Sequence, residues 1–315
     1  MRSDRKKSLE HALGSSLDYL MSRQQFDGSW IDWNLPPGQS SVWTTAFVGS
    51  RLTSLPSKVK KRASISTRLA SDWLNERIFL DGGWGYTEEV GSDADSTALA
   101  ILFLTFEGKN IREASYACLQ SFQCADGGFA TFRGQPGLGS WGSSHTDVTP
   151  SAVLAMMTQH GTEKKAVDRG IEYIRKHKTS GGIWQSFWWT SFLYSTEGAL
   201  SLLKAADLDI DLRATRTTLL QTRPQHPFEC ALLISGFLLL PDTVPDQAIW
   251  PRIDELLEGQ ESDGSWRSGP MLRVTRRDCL APWKPGDPDP LFGDQNHLFT
   301  TATVVDAISK VYRLL

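Results

Sequence analysis

A short Gly-aromatic turn, returning at the end of one amphipathic segment after another, sets the tightest limit on how this chain can fold. It is Gln24-Gln25-Phe26-Asp27-Gly28-Ser29-Trp30 at first, then Leu80-Asp81-Gly82-Gly83-Trp84, then Gln120 to Phe129 with Asp126-Gly127-Gly128-Phe129 at its end. Ser180-Gly181-Gly182-Ile183-Trp184 and Gln260-Glu261-Ser262-Asp263-Gly264-Ser265-Trp266 follow. The aromatic positions are spaced roughly 50 residues apart, a period in the range of stacked supersecondary repeats. The last gap is wider and holds a degenerate copy, Gln221-Thr222-Arg223-Pro224-Gln225-His226-Pro227-Phe228, which keeps the helix break and loses the Gly-aromatic element. Six units therefore cover the chain.

Segments before the turns, such as Ser8 to Arg23, Ser64 to Arg77, Arg112 to Phe122, Val167 to Lys178 and Trp250 to Gly259, have one apolar face. Those after them, Val42 to Leu55, Ser96 to Phe106, Val148 to Gln159, Thr196 to Leu203, Phe228 to Leu240 and Thr301 to Leu314, are apolar on most sides. Half-exposed helices alternating with buried ones predict an all-α fold, an (α/α)6 toroid of six inner helices ringed by six outer ones, as a single domain over residues 1–315. Asp-Gly and Gly-Gly supply the left-handed backbone that ends a helix tightly. The Trp or Phe that comes next is expected to cover the helix end as an architectural residue.

Composition narrows function less. A hydrophobic content of 40%, a charged content of 22% and a net charge of -3 describe a globular chain without the basic field that nucleic acid requires. Cys118, Cys124, Cys230 and Cys279 show no CxxC spacing, which favours reduced thiols over a disulfide framework. The basic N-terminus lacks a long apolar run, so neither a leader nor a spanning helix is expected, and a cytoplasmic setting is.

The Gln, Asp-Gly and Trp pattern resembles the QW repeat of the terpene cyclase and protein prenyltransferase superfamily. One toroid serves several activities there, so the resemblance implies fold before function. The second inner helix opens with Gly91-Ser92-Asp93-Ala94-Asp95-Ser96-Thr97-Ala98. From the residues alone, Asp93 reads as an N-cap and Asp95 as a first-turn acid. The segment is also similar to the DxDD(T/S)A motif of class II terpene cyclases, as in the squalene-hopene cyclases. Ser96 replaces the last Asp, which brings it closer to the DxDTT variant of drimenyl diphosphate synthases. The resemblance implies a protonation-initiated cyclase acting on a linear isoprenoid, such as a C15–C20 prenyl diphosphate or prenylated intermediate. Asp95 would be the general acid, with Asp93 and Ser96 as its orienting partners.

Such chemistry needs a carboxylic acid that keeps its proton, and both burial and a neighbouring like charge raise a carboxyl pKa. It also needs walls that stabilise a carbocation without capturing it. Trp43, Phe187, Trp188, Trp189, Tyr194, Phe228 and Phe299 lie at or near the starts of inner helices, where a toroid gathers them around one mouth. His145, His226 and His297 each precede an inner helix; His145, beside the Asp95 helix in the chain, is the expected partner of the acid or acceptor of the final proton. The long connection from Arg267 to His297 carries Arg273, Arg276, Arg277 and Lys284, and is expected to close over a diphosphate; Asp278, Asp287 and Asp289 partly neutralise it.

Protonation itself requires no cofactor, and no metal ligands are assigned; Mg2+ is expected only in company with a diphosphate. Two rivals remain. A zinc-dependent prenyltransferase β-subunit would draw on His226, Cys230, Asp278 and Cys279, although no Asp-x-Cys pair opens an inner helix. A non-catalytic or carbohydrate-binding toroid would use the aromatics without the acid. Peripheral membrane contact, and a second copy, domain or protein completing the pocket, stay open at this stage.

Overall fold

A computed structural model describes residues 2–159, 164–240, 246–284, 286 and 289–315. Each amphipathic segment is an outer helix: α1 (Arg2–Ser22), α3 (Ser57–Glu76), α5 (Glu113–Gln120), α7 (Lys164–Lys176), α9 (Arg213–Gln221) and α11 (Asp246–Glu258). The apolar segments are inner helices: α2 (Val42–Leu52), α4 (Ala94–Phe106), α6 (Thr149–Met157), α8 (Phe192–Ala205), α10 (Pro227–Leu239) and α12 (Leu298–Tyr312). Consecutive inner helices pack side by side and α12 returns to α2, so the inner ring closes with α1 also packed on α12. The all-α toroid of six helix pairs is therefore the observed architecture.

The repeated turn explains itself at the level of single bonds. In four units the indole N–H donates to a carbonyl ten residues back, near the end of the outer helix: Trp30 to Leu20, Trp84 to Leu74, Trp184 to Ile174 and Trp266 to Leu256, at 2.6–2.8 Å. These carbonyls belong to the set that a helix C-terminus leaves unsatisfied. The backbone N–H of the same aromatic, or of Phe129, donates to a threonine hydroxyl on the inner helix: Thr45, Thr97, Thr149, Thr196 or Thr301. Gln24, Gln123 and Gln260 each donate to the turn glycine's carbonyl and to a carbonyl of the adjacent outer helix. Gly28 has φ of 98°, and a Cβ there would lie 2.8 Å from the Leu69 backbone of α3, so glycine both ends one helix and admits the next.

Three links at the inner-helix starts form short antiparallel hairpins: β1 (Asp32–Leu35) with β2 (Gly38–Ser40), β3 (Phe129–Ala130) with β4 (Ser144–His145), and β5 (Leu272–Arg273) with β6 (Leu291–Phe292). The ring is fastened where its first and last units meet. Buried Asp32 accepts from the Asn296 and Leu298 backbone N–H groups at 2.9 Å, and Tyr19 donates to the Asn296 carbonyl. Among the described residues no helix is long and apolar enough to cross a membrane, and all four cysteines are free thiols.

Candidate active site

Asp93 is the N-cap of α4: its Oδ1 accepts from Ser96 N–H at 2.7 Å and its Oδ2 from the Ser96 hydroxyl at 2.8 Å. The helix thus begins two residues before the Ser96 start read from the sequence, and Asp95 falls in its first turn. Ser96 orients Asp93 rather than Asp95, because its hydroxyl is spent on the capping carboxylate. Asp95 itself faces an internal cavity, and no hydrogen bond from a described residue reaches its carboxyl. Burial first, and then the charges of Asp93 and Asp147, hold its pKa well above the ordinary carboxylate range. Burial also pushes Asp93 up to about 7 and Asp147 up to about 6.

Asp147 carries no sequence signal of its own. It is 4% exposed, its Oδ2 accepts from the Phe187 and Trp188 N–H groups at 2.9 and 2.7 Å, and its Oδ1 has no protein partner. Three carboxyl groups, Asp93 and Asp147 buried and Asp95 half-buried, thus lie close enough for their charges to interact, and all three are raised above the ordinary carboxylate range.

The cavity opens toward solvent. Trp43 and Trp189 line it together with Trp188, Tyr86, Phe132 and Trp141. Leu35, Pro36 and Pro37 come from the first hairpin. Leu272, Arg273 and Val274 come from the sixth unit's long connection, which crosses the mouth to reach the opposite side of the ring. Arg273 N–H donates to the Trp188 carbonyl at 2.8 Å and Thr190 N–H to the Met271 carbonyl at 3.0 Å. Farther along, Trp141 Nε1 donates to the Thr275 carbonyl and Ser140 N–H to the Arg277 carbonyl, both at 2.7 Å. The closing loop expected from the sequence is thus a lid, stitched to the third and fourth units; its residues 285, 287 and 288 lie outside the described set.

Several expected site residues sit elsewhere. His145 is buried on β4 with its ring stacked on Phe187 at 3.9 Å, its Nε2 lacks a protein partner, and burial pushes its pKa down to about 3. Neither His145 nor Phe187 lines the cavity; of the residues following β4 it is Asp147, lining the second cavity, whose charge acts on Asp95. Phe228 and Phe299 lie behind the wall, Phe228 stacked on Trp189 at 5.1 Å and Phe299 4.5 Å from Trp43. Tyr194 belongs to the first turn of α8, stacks on Trp189 at 4.1 Å and lines a second cavity instead. Arg276 pairs with Asp278 at 3.3 Å, and Arg277 donates to the Gly137 carbonyl and lies over Trp141; of the three lid arginines only Arg273 lines the cavity. Sequence signals for Phe132 and Trp141 existed only as aromatics in an irregular Gly-rich link.

The second cavity opens at the inner helices' other ends. There Arg51 and Lys310 bind Asp306 at 3.1 and 2.8 Å and Glu197 at 3.7 and 3.4 Å, a self-neutralised cross of four charges. Of the residues the zinc reading draws on, His226, Cys230 and Asp278 have other partners in the protein. His226 caps α10 through Nδ1, the Cys230 thiol donates toward the Arg252 carbonyl of α11, and among the described residues no three His, Cys, Asp or Glu side chains converge on a metal position.

The chain is similar to several known proteins. Residues 141–222 match the squalene-hopene cyclase C-terminal domain family. A drimenyl diphosphate synthase from Streptomyces showdoensis is 23% identical over 286 residues, covering 82% of this chain and 50% of that protein. A probable squalene-hopene cyclase from Sinorhizobium fredii is 25% identical over 211 residues, covering 55% of this chain and 32% of that one. The chain thus spans half or less of the length of these curated relatives. By contrast, the type II terpene cyclase MstE from Scytonema, solved with geranylgeranyl dihydroxybenzoate (substrate), superposes with a TM-score of 0.84 at 25% identity, over 99% of this chain and 100% of that one.

Proposed function

We propose that this chain, whose fold and relatives are those of the class II terpene cyclases, starts the cyclisation of a linear isoprenoid by protonating its terminal alkene from Asp95. The observation that carries the reading is a carboxyl group that faces an aromatic, largely apolar cavity, with its pKa raised well above the ordinary range by desolvation and by the charges of two neighbouring buried acids. An isolated alkene is a weak base, so the acid must reach neutral pH undissociated. Desolvation and the charges of Asp93 and Asp147 do this. The N-terminal end of α4 acts in the productive direction, since the helix dipole stabilises the carboxylate that remains once the proton has left. Ser96 fixes Asp93 through two hydrogen bonds and so fixes the distance at which that charge acts.

The proton from Asp95 forms a C–H bond at the CH carbon of the terminal alkene and leaves a tertiary cation at its dimethyl-substituted carbon. The neighbouring alkene closes on it, and the last cation loses a proton or adds water. Between those events positive charge moves among Trp43, Tyr86, Trp188 and Trp189, whose ring faces attract it, and no lining side chain other than the acids offers a strong nucleophile. None of these steps requires a metal. The relatives differ in head group, a diphosphate by name in one and a dihydroxybenzoate in another, so the small-molecule isoprenoid is common ground.

Incubating the purified chain with farnesyl and geranylgeranyl diphosphates, geranylgeranyl dihydroxybenzoate and squalene tests the reading. Cyclised product is expected from at least one, and Asp95→Asn is expected to lower its rate by about a thousandfold, within the range for loss of a general acid. Equal product from both proteins would refute the assignment.

A further inference from the structure

Arg273 stands apart from the catalytic acids, and the role assigned to it rests on the cyclase reading. It is the one cationic side chain among the described residues that line the cavity, and Pro285, Asp287 and Pro288 of the same loop bring no positive charge. It is 7% exposed. Its Nη1 donates to the Pro282 carbonyl at 2.6 Å and its Nη2 to the Trp189 carbonyl at 2.7 Å, while Nε has no partner in the protein. No described carboxylate lies within ion-pair distance of it. A guanidinium stays charged when buried, and the charges of Asp147 and Asp289, which act on this one from beyond ion-pair distance, do not offset its desolvation. This one is also pinned in place, so it offers a ligand a fixed donor rather than a mobile one.

Its surroundings select the rest of the ligand. Trp188, Trp141 and Phe132 form an aromatic cluster, with Trp141 and Trp188 centroids 5.3 Å apart and Phe132 5.9 and 6.3 Å from them. Leu272, Val274, Pro36 and Pro37 continue the wall without a hydrogen-bonding side chain. A diphosphate bears several charges and is bound by converging donors, yet Arg276 is engaged with Asp278 and Arg277 with Gly137 and the Trp141 ring, both outside the cavity. The ionising acids Asp93 and Asp147 add negative charge to the same region. One carboxylate, by contrast, matches one guanidinium in charge and in planar geometry.

We infer that the isoprenoid ends in a planar aromatic ring bearing a single carboxylate, which Arg273 binds while the ring packs against Trp188, Trp141 and Phe132, and that a diphosphate is not the preferred head.

The test uses the intact chain and three heads on the same farnesyl and geranylgeranyl tails: dihydroxybenzoate, the neutral dihydroxybenzene lacking the carboxylate, and diphosphate. The benzoate is expected to exceed the neutral arene in kcat/KM by about tenfold or more, the worth of a charge-assisted hydrogen bond, and to exceed the diphosphate further. Arg273→Gln is expected to bring the benzoate and the neutral arene to within about twofold of each other. That ratio is taken within one preparation, so partial loss of folded protein cancels from it. Preference for the diphosphate, or an unchanged ratio in Arg273→Gln, overturns the head-group proposal; if that turnover still depends on Asp95, the cyclase reading stands. Absence of cyclised product from all six compounds with wild type overturns the cyclase reading and this proposal with it.

Discussion

As the proposed acid, Asp95 depends on its neighbours, since burial and then the charges of Asp93 and Asp147 hold its pKa well above the ordinary carboxylate range. Asp147 and Asp93, pushed by burial to about 6 and about 7, become anions near neutral pH, and each anion makes proton loss from Asp95 harder. The rate should therefore hold through neutrality and fall on the alkaline side, as pH passes the raised pKa of the acid. Asp147→Asn keeps an oxygen for the Phe187 and Trp188 N–H groups but removes the charge. With less repulsion the Asp95 proton leaves more readily, so the alkaline limb should move to lower pH by about one unit, the scale of a nearby charge. Initial rates of wild type and variant from mildly acidic to alkaline pH give the answer, and an alkaline limb that stays put or moves upward would show that Asp147 only holds the Phe187–Trp188 backbone. His145 offers a contrast: neutral, stacked on Phe187 and driven down to about 3, it is not a titrating partner in this range.

At the scale of elements, the four indoles that cap outer helices form an internal experiment. Trp30→Phe, Trp84→Phe, Trp184→Phe and Trp266→Phe each remove one N–H that satisfies a helix-end carbonyl and leave the ring's bulk largely in place. Each should cost about 2 kcal/mol in urea unfolding, combining a lost buried hydrogen bond with a small void. A variant that costs nothing would deny its turn the capping role. These turns were legible in the sequence because their causes are local: left-handed glycines, an Asx turn and an apolar period need no distant contact to be recognised. The Asp93–Asp95–Ser96 segment was legible for the same reason, although the spending of Ser96 on Asp93 was not. Phe132 and Trp141, which line the cavity, and Asp147, which lines the second cavity and whose charge acts on Asp95, were not legible, since all three sit in the link between β3 and α6, whose course depends on Trp188 and on the sixth unit's lid. Side-chain direction within that link is set by tertiary contacts rather than strand alternation, and so the sequence points to His145 where the fold uses the residue two positions on.

As a whole molecule, the chain encloses a reaction space within a single ring. The ring's far end is crossed by the Arg51, Lys310, Glu197 and Asp306 network and its near end by the lid, so the cavity's dryness depends on the lid being held. Trp141 belongs both to the cavity wall and to the lid's fastening, through its indole bond to the Thr275 carbonyl. Trp141→Phe keeps an aromatic face toward the cation and releases that bond. Water should then reach the last cation more often, and the proportion of hydroxylated relative to olefinic product should rise by a few-fold while Asp95 remains required for turnover. Product ratios by mass spectrometry, with oxygen traced from labelled water, distinguish this from a simple loss of rate. An unchanged ratio would mean that the backbone bonds from Ser140, Arg273 and Thr190 close the mouth without Trp141, and the control of termination would then pass from the lid to the cavity walls.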